Sequence, residues 1–205
     1  HPSNFFVISA PSGAGKTSLV KALINQTADC RAAISHTTRP KRSEEIDGRD
    51  YYFVSEHEFS ELDAKESFLE SAKVFDYSYG TSLDEAQKII KSGRILILEI
   101  DWQGALQIKE KYKSAKSIFI LPPSLEALRS RLEMRAQDSD ETVEKRMKKA
   151  ISESSKWKNF DYLVENDVFQ IALEAIKEII RGEGQQYLRD AQVNKLKPLI
   201  ERLGS

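Results

Sequence analysis

The chain has 205 residues, enough for one domain with a sizeable core, and its 40% hydrophobic and 31% charged content is ordinary for a globular protein. A net charge of −1 argues against wholesale binding to polyanions. We therefore expect neither a nucleic-acid nor a membrane partner. The single cysteine, Cys30, excludes an intrachain disulfide, and no apolar stretch approaches the roughly 20 residues of a membrane span. With no signal-sequence pattern visible, these features predict a cytoplasmic protein.

Strand-like and helix-like segments alternate along the chain. Strands are predicted at 5–9, 31–37, 95–100, 116–121 and 161–165. Helices are predicted at 16–26, 82–92, 102–112, 124–136 and 141–158, with a long one from 167. Short apolar strands separated by helices indicate an α/β fold, in which helices cover both faces of a parallel sheet.

Residues 35–81 break this alternation. They contain a turn-rich basic stretch, an aromatic strand at 51–54, a short helix and a further extended piece that ends near residue 80. Two capping-box patterns mark helix starts in this segment and directly after it: Ser55 with Glu58, and Ser82 with Glu85. The segment therefore predicts a small β-rich subdomain inserted into the α/β fold.

The first strand runs directly into a glycine-rich turn, "SAPSGAGKTS" at 9–18. This stretch nearly matches the phosphate-loop pattern G-x-x-x-x-G-K-S/T, with alanine in the first glycine position. The two glycines allow backbone N–H groups to turn inward around an anion, the lysine can reach the β- and γ-phosphates, and the threonine can bind Mg²⁺. The alternative is a plain strand-to-helix turn, which the preceding strand and the intact G-K-T disfavour. The predicted nucleoside triphosphate site comprises Ala10, Pro11, Ser12, Gly13, Ala14, Gly15, Lys16 and Thr17.

A second basic stretch, "SHTTRPKRSEEIDGRDYYFV" at 35–54, lies far from the loop in sequence. Its cationic and hydroxyl side chains include Ser35, Arg39, Lys41, Arg42, Arg49 and Tyr51. Arginines that bind in a bidentate manner, together with a phenol donor, suit a second phosphate group. The alternative is a solvated basic surface loop, which composition alone favours.

Five motifs occur in order: S-x-T-T-R-x-x-R, G-R-D-Y-x-F-V, F-L-E, Y-G-T-S and I-D-W-Q-G. They resemble the signature series of the guanylate kinase family, whose members phosphorylate GMP, and the loop "SAPSGAGK" is similar to the bacterial form. The resemblance runs from about residue 4 to residue 190. It implies ATP and GMP as substrates and a P-loop NTPase-type parallel sheet core. The implied parts are a core at 4–34, 96–125 and 158–190, a GMP-binding subdomain at 35–95, a helical lid at 126–157 and a C-terminal extension at 185–205.

The resemblance also implies a GMP site. Ser35, Arg39, Arg42, Tyr51 and Tyr79 would hold the GMP phosphate and its surroundings, and Glu70, Thr81 and Asp101 would contact guanine. Guanine presents its N1–H and N2 amine as donors, so a carboxylate is an apt acceptor, whereas adenine offers a lone pair at N1. The alternatives are that Glu70 is a surface strand residue and that Asp101 is a helix N-cap, a role compatible with base contact.

The resemblance and the phosphate loop together predict Mg²⁺ as the cofactor, with the Thr17 hydroxyl as one ligand. An acidic residue near the metal is expected at the end of the strand that precedes Trp102. Glu99 and Asp101 both qualify, and the sequence does not decide which lies near the metal and which near the base.

A second cationic cluster lies at 129–149. The resemblance implies that Arg131, Arg135 and Arg146 are lid residues that contact the triphosphate and take part in catalysis with Lys16 and Arg39. It also implies that Asn166 lies by the adenine of ATP. The alternatives are a solvated charged helix face for the arginines and a helix N-cap at 166 or 167.

The expected chemistry is in-line transfer of the γ-phosphoryl group without a general base, because the attacking GMP oxygen is already largely deprotonated. His36 and His57 are therefore interpreted as bystanders. Another nucleoside monophosphate kinase would need a different base reader, a GTPase would need N-K-x-D, and an inactive scaffold domain would lack the nucleotide contacts. The apolar residues of 185–203 predict two short helices separated at Pro198, which pack on the chain's own core or form a homo-oligomer interface.

Overall fold

The computed structural model describes residues 4–135 and 140–204, and it contains two sheets. Five parallel strands form the central sheet in the order β2-β7-β1-β8-β9. Their bounds are β1 Phe5–Ser9, β2 Cys30–Ala32, β7 Ile95–Glu99, β8 Lys116–Leu121 and β9 Tyr162–Glu165. The predicted α/β fold with a parallel sheet is confirmed. Within the described ranges, no helix is long and apolar enough to cross a membrane.

Helices cover both faces of the central sheet because its strands are apolar on both sides. In β1, Phe5 and Val7 face one apolar layer, and Phe6 and Ile8 face the other. Helices α1 (Lys16–Gln26) and α7 (Phe169–Arg181) supply the second layer. The first layer is covered by α3 (Leu83–Lys91), α4 (Trp102–Lys111) and α8 (Arg189–Gly204).

The strand predicted at 31–37 is wrong in one respect: two strands in different sheets occupy this segment. β2 ends at Ala32, and β3 (Ser35–Thr37) begins the second sheet. Ala33 and Ile34 join them, and the backbone N–H of Ile34 donates to the Glu85 carboxylate rather than to a strand. The Glu85 carboxylate therefore binds Ile34 instead of completing the predicted capping box with Ser82. The Ser82 side chain still caps α3 by accepting from the Glu85 N–H.

The inserted segment forms a four-stranded sheet in the order β4-β3-β6-β5. Its other strands are β4 (Tyr52–Phe53), β5 (Phe68–Val74) and β6 (Tyr77–Ser82), and α2 (Glu56–Ala64) joins β4 to β5. The predicted capping box of Ser55 and Glu58 is confirmed at the start of α2. The predicted extended piece is a hairpin, since β5 and β6 pair antiparallel with Val74 opposite Tyr77.

Two helices form a small unit above the phosphate loop. α5 (Leu125–Arg135) and α6 (Asp140–Ser154) pack through an apolar cluster of their own: Leu128, Leu132, Val143, Met147 and Ala150. The helix predicted at 141–158 ends earlier than expected, because a 3-10 helix occupies Ser155–Asn159. The subdomain and lid boundaries given above remain a prediction.

The C-terminal segment corrects a second expectation. One helix, α8, runs through Pro198, where two short helices were predicted. Leu196 and Leu203 are buried in the core, with Leu199 and Ile200 packed beside them. Burial of each leucine contributes roughly 1.5–3 kcal/mol, which offsets the roughly 3 kcal/mol cost of an internal proline. This helix face packs on the chain's own core, and a homo-oligomer interface through 185–205 stays a prediction.

Replacing Leu196 with alanine should lower the free energy of unfolding by about 2–5 kcal/mol, because a side chain only 4% exposed would leave a cavity against the sheet. Denaturant unfolding monitored by circular dichroism measures this change. The neighbouring Lys197→Ala variant, altered at an exposed side chain, is the matched control and should stay within about 0.5 kcal/mol of the parent. Equal stability of the two variants would show that α8 does not support the core.

Candidate active site

The predicted phosphate loop lies between β1 and α1. Gly13 and Gly15 have φ values of 86° and 91°, which side-chain-bearing residues rarely adopt, so glycine is required at both turns. Gly15 is the N-cap of α1 and supplies no side chain to the first N–H groups of that helix. Unpaired N–H groups and the positive end of the helix dipole together favour an anion at this position.

Asn166, which follows β9, lies against the phosphate loop. Its Nδ2 donates to the Ala14 carbonyl at 2.8 Å, and a Cβ on Gly15 would approach that nitrogen to 2.5 Å. The Arg131 guanidinium donates to the Asn166 carbonyl at 2.9 Å. The alternative of a helix N-cap at 166 or 167 is wrong, because Val168 is the N-cap of α7. Four residues predicted to contact ATP are therefore brought together: Ala14, Gly15, Arg131 and Asn166.

A cavity of about 300 Å³ opens beside these residues. Its lining combines the loop glycines with polar and apolar side chains: Gly13, Gly15, Ser18, Arg131, Met134, Asn166, Asp167 and Phe169. The Oδ1 atom of Asn166 is buried and has no hydrogen-bond partner among the described residues. The cavity therefore combines polar groups with an apolar surface, which suits a flat base.

The loop lysine and threonine contact the end of β7. Lys16 Nζ donates to the Ile100 carbonyl at 3.1 Å, and the Thr17 hydroxyl donates to the Glu99 carboxylate at 2.5 Å. Asp101 lies elsewhere, since its Oδ1 caps α4 by accepting from the Gly104 N–H at 3.0 Å. The N-cap expectation for Asp101 is confirmed, and of the two candidate acids only Glu99 lies beside Thr17. A hydroxyl and a carboxylate in contact are oxygen ligands of the kind that Mg²⁺ takes together with phosphates, so these residues fit the ion.

Arg39 lies in an aromatic and acidic surrounding beside the second sheet. Its guanidinium makes two hydrogen bonds to the Glu45 carboxylate, at 2.6 and 3.1 Å, and lies 5.5 Å from the Tyr51 ring centre. Tyr79 also faces the guanidinium and contacts the Tyr51 ring edge-on at 6.0 Å. Burial, with the nearby charge of Glu99, raises the pKa of Tyr51, so the phenol stays a donor at neutral pH. Arg39, Tyr51 and Tyr79 thus share one site.

Glu70 lies at the contact between β5 and α4, on the same sheet face as Tyr79, because it pairs with Thr81, two residues along β6 from Tyr79. It is 3% exposed, so the alternative of a surface strand residue is wrong. The Thr81 hydroxyl donates to its Oε1 at 2.7 Å, and Ser35 Oγ lies 3.3 Å from that hydroxyl. Burial, with the Asp101 charge adding to it, raises the pKa of Glu70 to about 7 despite the Thr81 hydrogen bonds. The structure therefore brings Ser35, Glu70, Thr81 and Asp101 together.

Arg42 and Arg146 are less enclosed. Arg42 is exposed, and its backbone N–H donates to Glu45 at 2.8 Å. Arg146 is partly buried on α6. The backbone of Arg135 ends α5, but its side chain lies outside the described part of the structure.

Sequence reasoning missed three residues of this region. Glu45 holds Arg39, Glu153 on α6 accepts a hydrogen bond from the Ser12 N–H at 3.0 Å, and Gly104 lies against Glu70. A Cβ on Gly104 would lie 2.5 Å from Glu70 Oε2. Glycine inside a helix costs about 1 kcal/mol relative to alanine, and that cost was the available signal for Gly104. The contacts of the two glutamates could not be predicted, because no sequence motif links either of them to its partner.

Comparison with known proteins identifies the family. A family model described as guanylate kinase matches residues 3–183. The chain belongs to the guanylate kinase family. Guanylate kinase of Pseudomonas fluorescens strain Pf0-1 is 51% identical over 199 residues, covering 97% of this chain and 96% of that one. Guanylate kinase of Coxiella burnetii is 49% identical over 201 residues, covering 98% and 97%.

A solved structure agrees with the sequence relatives. The crystal structure of guanylate kinase from Anaplasma phagocytophilum superposes with a TM-score of 0.75 at 29% identity, covering 95% of this chain and 96% of that one. The resemblance read from the five motifs is confirmed. Guanylate kinases phosphorylate GMP with ATP, so membership makes the chain an ATP:GMP phosphotransferase, a nucleoside monophosphate kinase.

Proposed function

We propose that the chain carries out its family's reaction by Mg²⁺-assisted in-line transfer of the γ-phosphoryl group from ATP to GMP, without a general base. One observation supports the arrangement above others. In the stretch 99–101, Glu99 and Ile100 contact the phosphate loop, while Asp101 caps α4 beside Glu70. Two substrates that bind on either side of this stretch would meet at the carboxyl end of β7, where ligands of parallel sheets bind.

On the ATP side, residues 10–17 would enclose the triphosphate. Backbone N–H groups of the loop and the start of α1 would bind phosphate oxygens, and Lys16 would leave the Ile100 carbonyl for the β- and γ-phosphates. Asn166 would accept from the adenine amine through its free Oδ1. Arg131, Arg135 and Arg146 would add positive charge from the lid.

On the GMP side, two groups of residues would bind different parts of the nucleotide. Arg39, Arg42, Tyr51 and Tyr79 would hold the phosphate, with Ser35 nearby, and Glu70, Thr81 and Asp101 would contact guanine. Glu45 pairs with Arg39, and this ion pair would orient the guanidinium toward the phosphate. Hydrogen bonds from Arg39 and the Arg42 N–H outweigh partial burial and hold the pKa of Glu45 below its usual range.

The chain's own residues would position two polyanions and neutralise charge as it shifts between them. Thr17 and Glu99 would hold Mg²⁺, which supplies electrostatic stabilisation of the phosphate oxygens when bound. Tyr51 lies between Arg39 and the Glu99 side of the site, so its neutral phenol would donate to the acceptor phosphate near the reaction centre. No proton needs to be removed from the GMP phosphate, so His36, whose pKa burial lowers, has no role in transfer.

A coupled assay of ADP release tests this proposal. With ATP and Mg²⁺, GMP should support turnover, and AMP, UMP and CMP should be at least about 100-fold poorer in kcat/KM because none offers the N1–H and N2 donors together. Equal use of AMP and GMP would instead favour another nucleoside monophosphate kinase. Absence of turnover with all four acceptors would favour an inactive binding domain.

A further inference from the structure

Helix α6 reaches from the phosphate loop to the tip of the β5–β6 hairpin. At the loop end, Glu153 Oε2 accepts a hydrogen bond from the Ser12 backbone N–H at 3.0 Å, and the glutamate is only 8% exposed. Burial raises the pKa of Glu153, while this hydrogen bond and the positive charge of Lys149 oppose the rise. The mechanism above gives this buried carboxylate no role.

Lys149 lies one helical turn before Glu153 and contacts it. Its Nζ is 3.7 Å from Glu153 Oε1 and 3.3 Å from the centre of the Phe75 ring, above the ring face. A cation over an aromatic face is attracted by the negative potential of the ring. Ser12, Glu153, Lys149 and Phe75 therefore form a continuous series of polar contacts from the loop to the hairpin.

Phe75 occupies an unusual position for an aromatic residue. It lies in the two-residue turn between Val74 and Tyr77 with φ of 55°, and it is 50% exposed. Glycine or asparagine is favoured at such a φ, and a bulky residue there is strained. Phe75 is thus neither a favourable turn residue nor a core residue. The interaction that its ring makes is the contact with Lys149.

We propose that Lys149 and Glu153 are positioning residues that couple the GMP-side hairpin to the phosphate loop. This inference rests on the proposed function, since it assigns the two ends to GMP and ATP. The hairpin carries Glu70, Tyr79 and Thr81, so bound GMP would fix the turn that holds Phe75. Through Lys149, the ordered turn would keep Glu153 on the Ser12 N–H and hold the loop in its anion-binding form.

We call the contacts that join Ser12, Glu153, Lys149 and Phe75 the relay. The relay makes the two substrates bind cooperatively, and by linkage each substrate tightens the binding of the other by the same factor. GMP should bind about 5- to 150-fold more tightly when a nonhydrolysable ATP analogue and Mg²⁺ occupy the loop, the usual range for coupled sites. The opposite role is that Glu153 mimics a phosphate at the loop and must be displaced. In that case, removing its charge would tighten binding of the ATP analogue.

Calorimetric titration with GMP, with and without the analogue, measures this coupling. Phe75→Asn deletes the ring and suits the turn, and Lys149→Met deletes the charge but keeps the aliphatic stem. Both variants should lower the ratio of the two GMP dissociation constants to within about 2-fold of one. Lys148→Met, which removes the adjacent exposed charge on α6, is the matched control and should keep the parent ratio.

Glu153 variants separate the relay from its alternatives. Glu153→Gln keeps an acceptor for the Ser12 N–H, so the analogue should bind within about 3-fold of the parent while the coupling falls; Glu153→Ala should weaken the analogue by about 10-fold. Tighter analogue binding in either variant, or parent-like coupling in Phe75→Asn, would overturn the relay. Failure of the proposed function would look different from failure of the relay. In that case the unmodified chain would bind GMP weakly or would not phosphorylate it.

Discussion

Lys16→Ala should lower kcat for GMP phosphorylation by about 100-fold or more and leave the protein folded. The loop lysine is the cation that follows the glycine turn, and its ammonium lies 3.1 Å from the Ile100 carbonyl at the edge of the loop. Loss of one preorganised donor that stabilises charge in the transition state typically costs about 2.7–4 kcal/mol, which is 10²–10³ in rate. The measurement is steady-state kinetics with saturating ATP, Mg²⁺ and GMP, with circular dichroism to show that the fold persists.

Lys21→Ala is the matched control for this variant. It removes the same charge from the same helix, but Lys21 is exposed and pairs only loosely with Asp50, at 3.4 Å. Its turnover should stay within about 3-fold of the parent, because a long ion pair from an exposed lysine contributes little. If Lys16→Ala retains near-normal turnover, or if Lys21→Ala is equally damaging, the assignment of the loop to ATP is wrong.

Features set by neighbouring residues could be predicted from the sequence. The apolar run before the loop, the two glycines and the G-K-T located β1, the turn and the start of α1 to the residue. Ser55 and Glu58 located the start of α2 for the same reason, since a capping box is complete within four residues. Local chemistry decides such elements before any tertiary contact forms.

Features set by distant partners could not be predicted in this way. Residues 31–37 are continuous in β-forming character, and only the pairing of Arg31 with Leu96 and of His36 with Gly80 divides them between two sheets. In α8, burial of Leu196 and Leu203 overrides the local signal of Pro198. Tertiary packing outweighs local preference in both cases.

In the candidate site, too, local motifs could be read from the sequence and contacts with distant residues could not. The motifs named the residues that cluster around Glu70, but whether Glu99 or Asp101 lies by Thr17 depended on where β7 ends. Since the strand stops at Glu99 and Asp101 is the N-cap of α4, Glu99 lies beside Thr17 and Asp101 lies at the start of α4. Glu45 was not predicted, because its partner Arg39 is six residues away in an irregular loop.

Gly104→Ala tests the guanine site without changing a polar group. The added methyl would lie 2.5 Å from Glu70 Oε2 and must displace that carboxylate, although alanine suits the helix better than glycine. We expect kcat/KM for GMP to fall by about 10-fold or more with the KM for ATP within about 2-fold. Unchanged use of GMP would place Glu70 outside the base site.

Glu70→Gln is expected to weaken GMP use selectively. If Glu70 accepts from guanine N1–H and N2, the amide loses a charge-assisted hydrogen bond worth roughly 1.5–3 kcal/mol and presents a donor to a donor edge. The value of kcat/KM for GMP should therefore fall about 10- to 150-fold. AMP, which offers an acceptor at N1, should lose less or gain, and the KM for ATP should hardly change. An unaltered ratio of GMP to AMP efficiency would refute base reading by Glu70.

The pH dependence of this variant distinguishes lost recognition from lost folding. Glu70 has a folded pKa of about 7, raised from 4.5 by burial, so its ionisation lowers the stability of the unliganded protein as pH rises from about 4.5 to 7. At pH 8 the glutamine variant, which has no buried charge, should be at least as stable as the parent in denaturant unfolding. GMP needs the carboxylate ionised, so the KM of the parent for GMP should fall as pH rises through about 7. The glutamine variant should lack this change in KM near pH 7. It should keep only the pH dependence caused by the GMP phosphate, because the substrate is the same for both proteins.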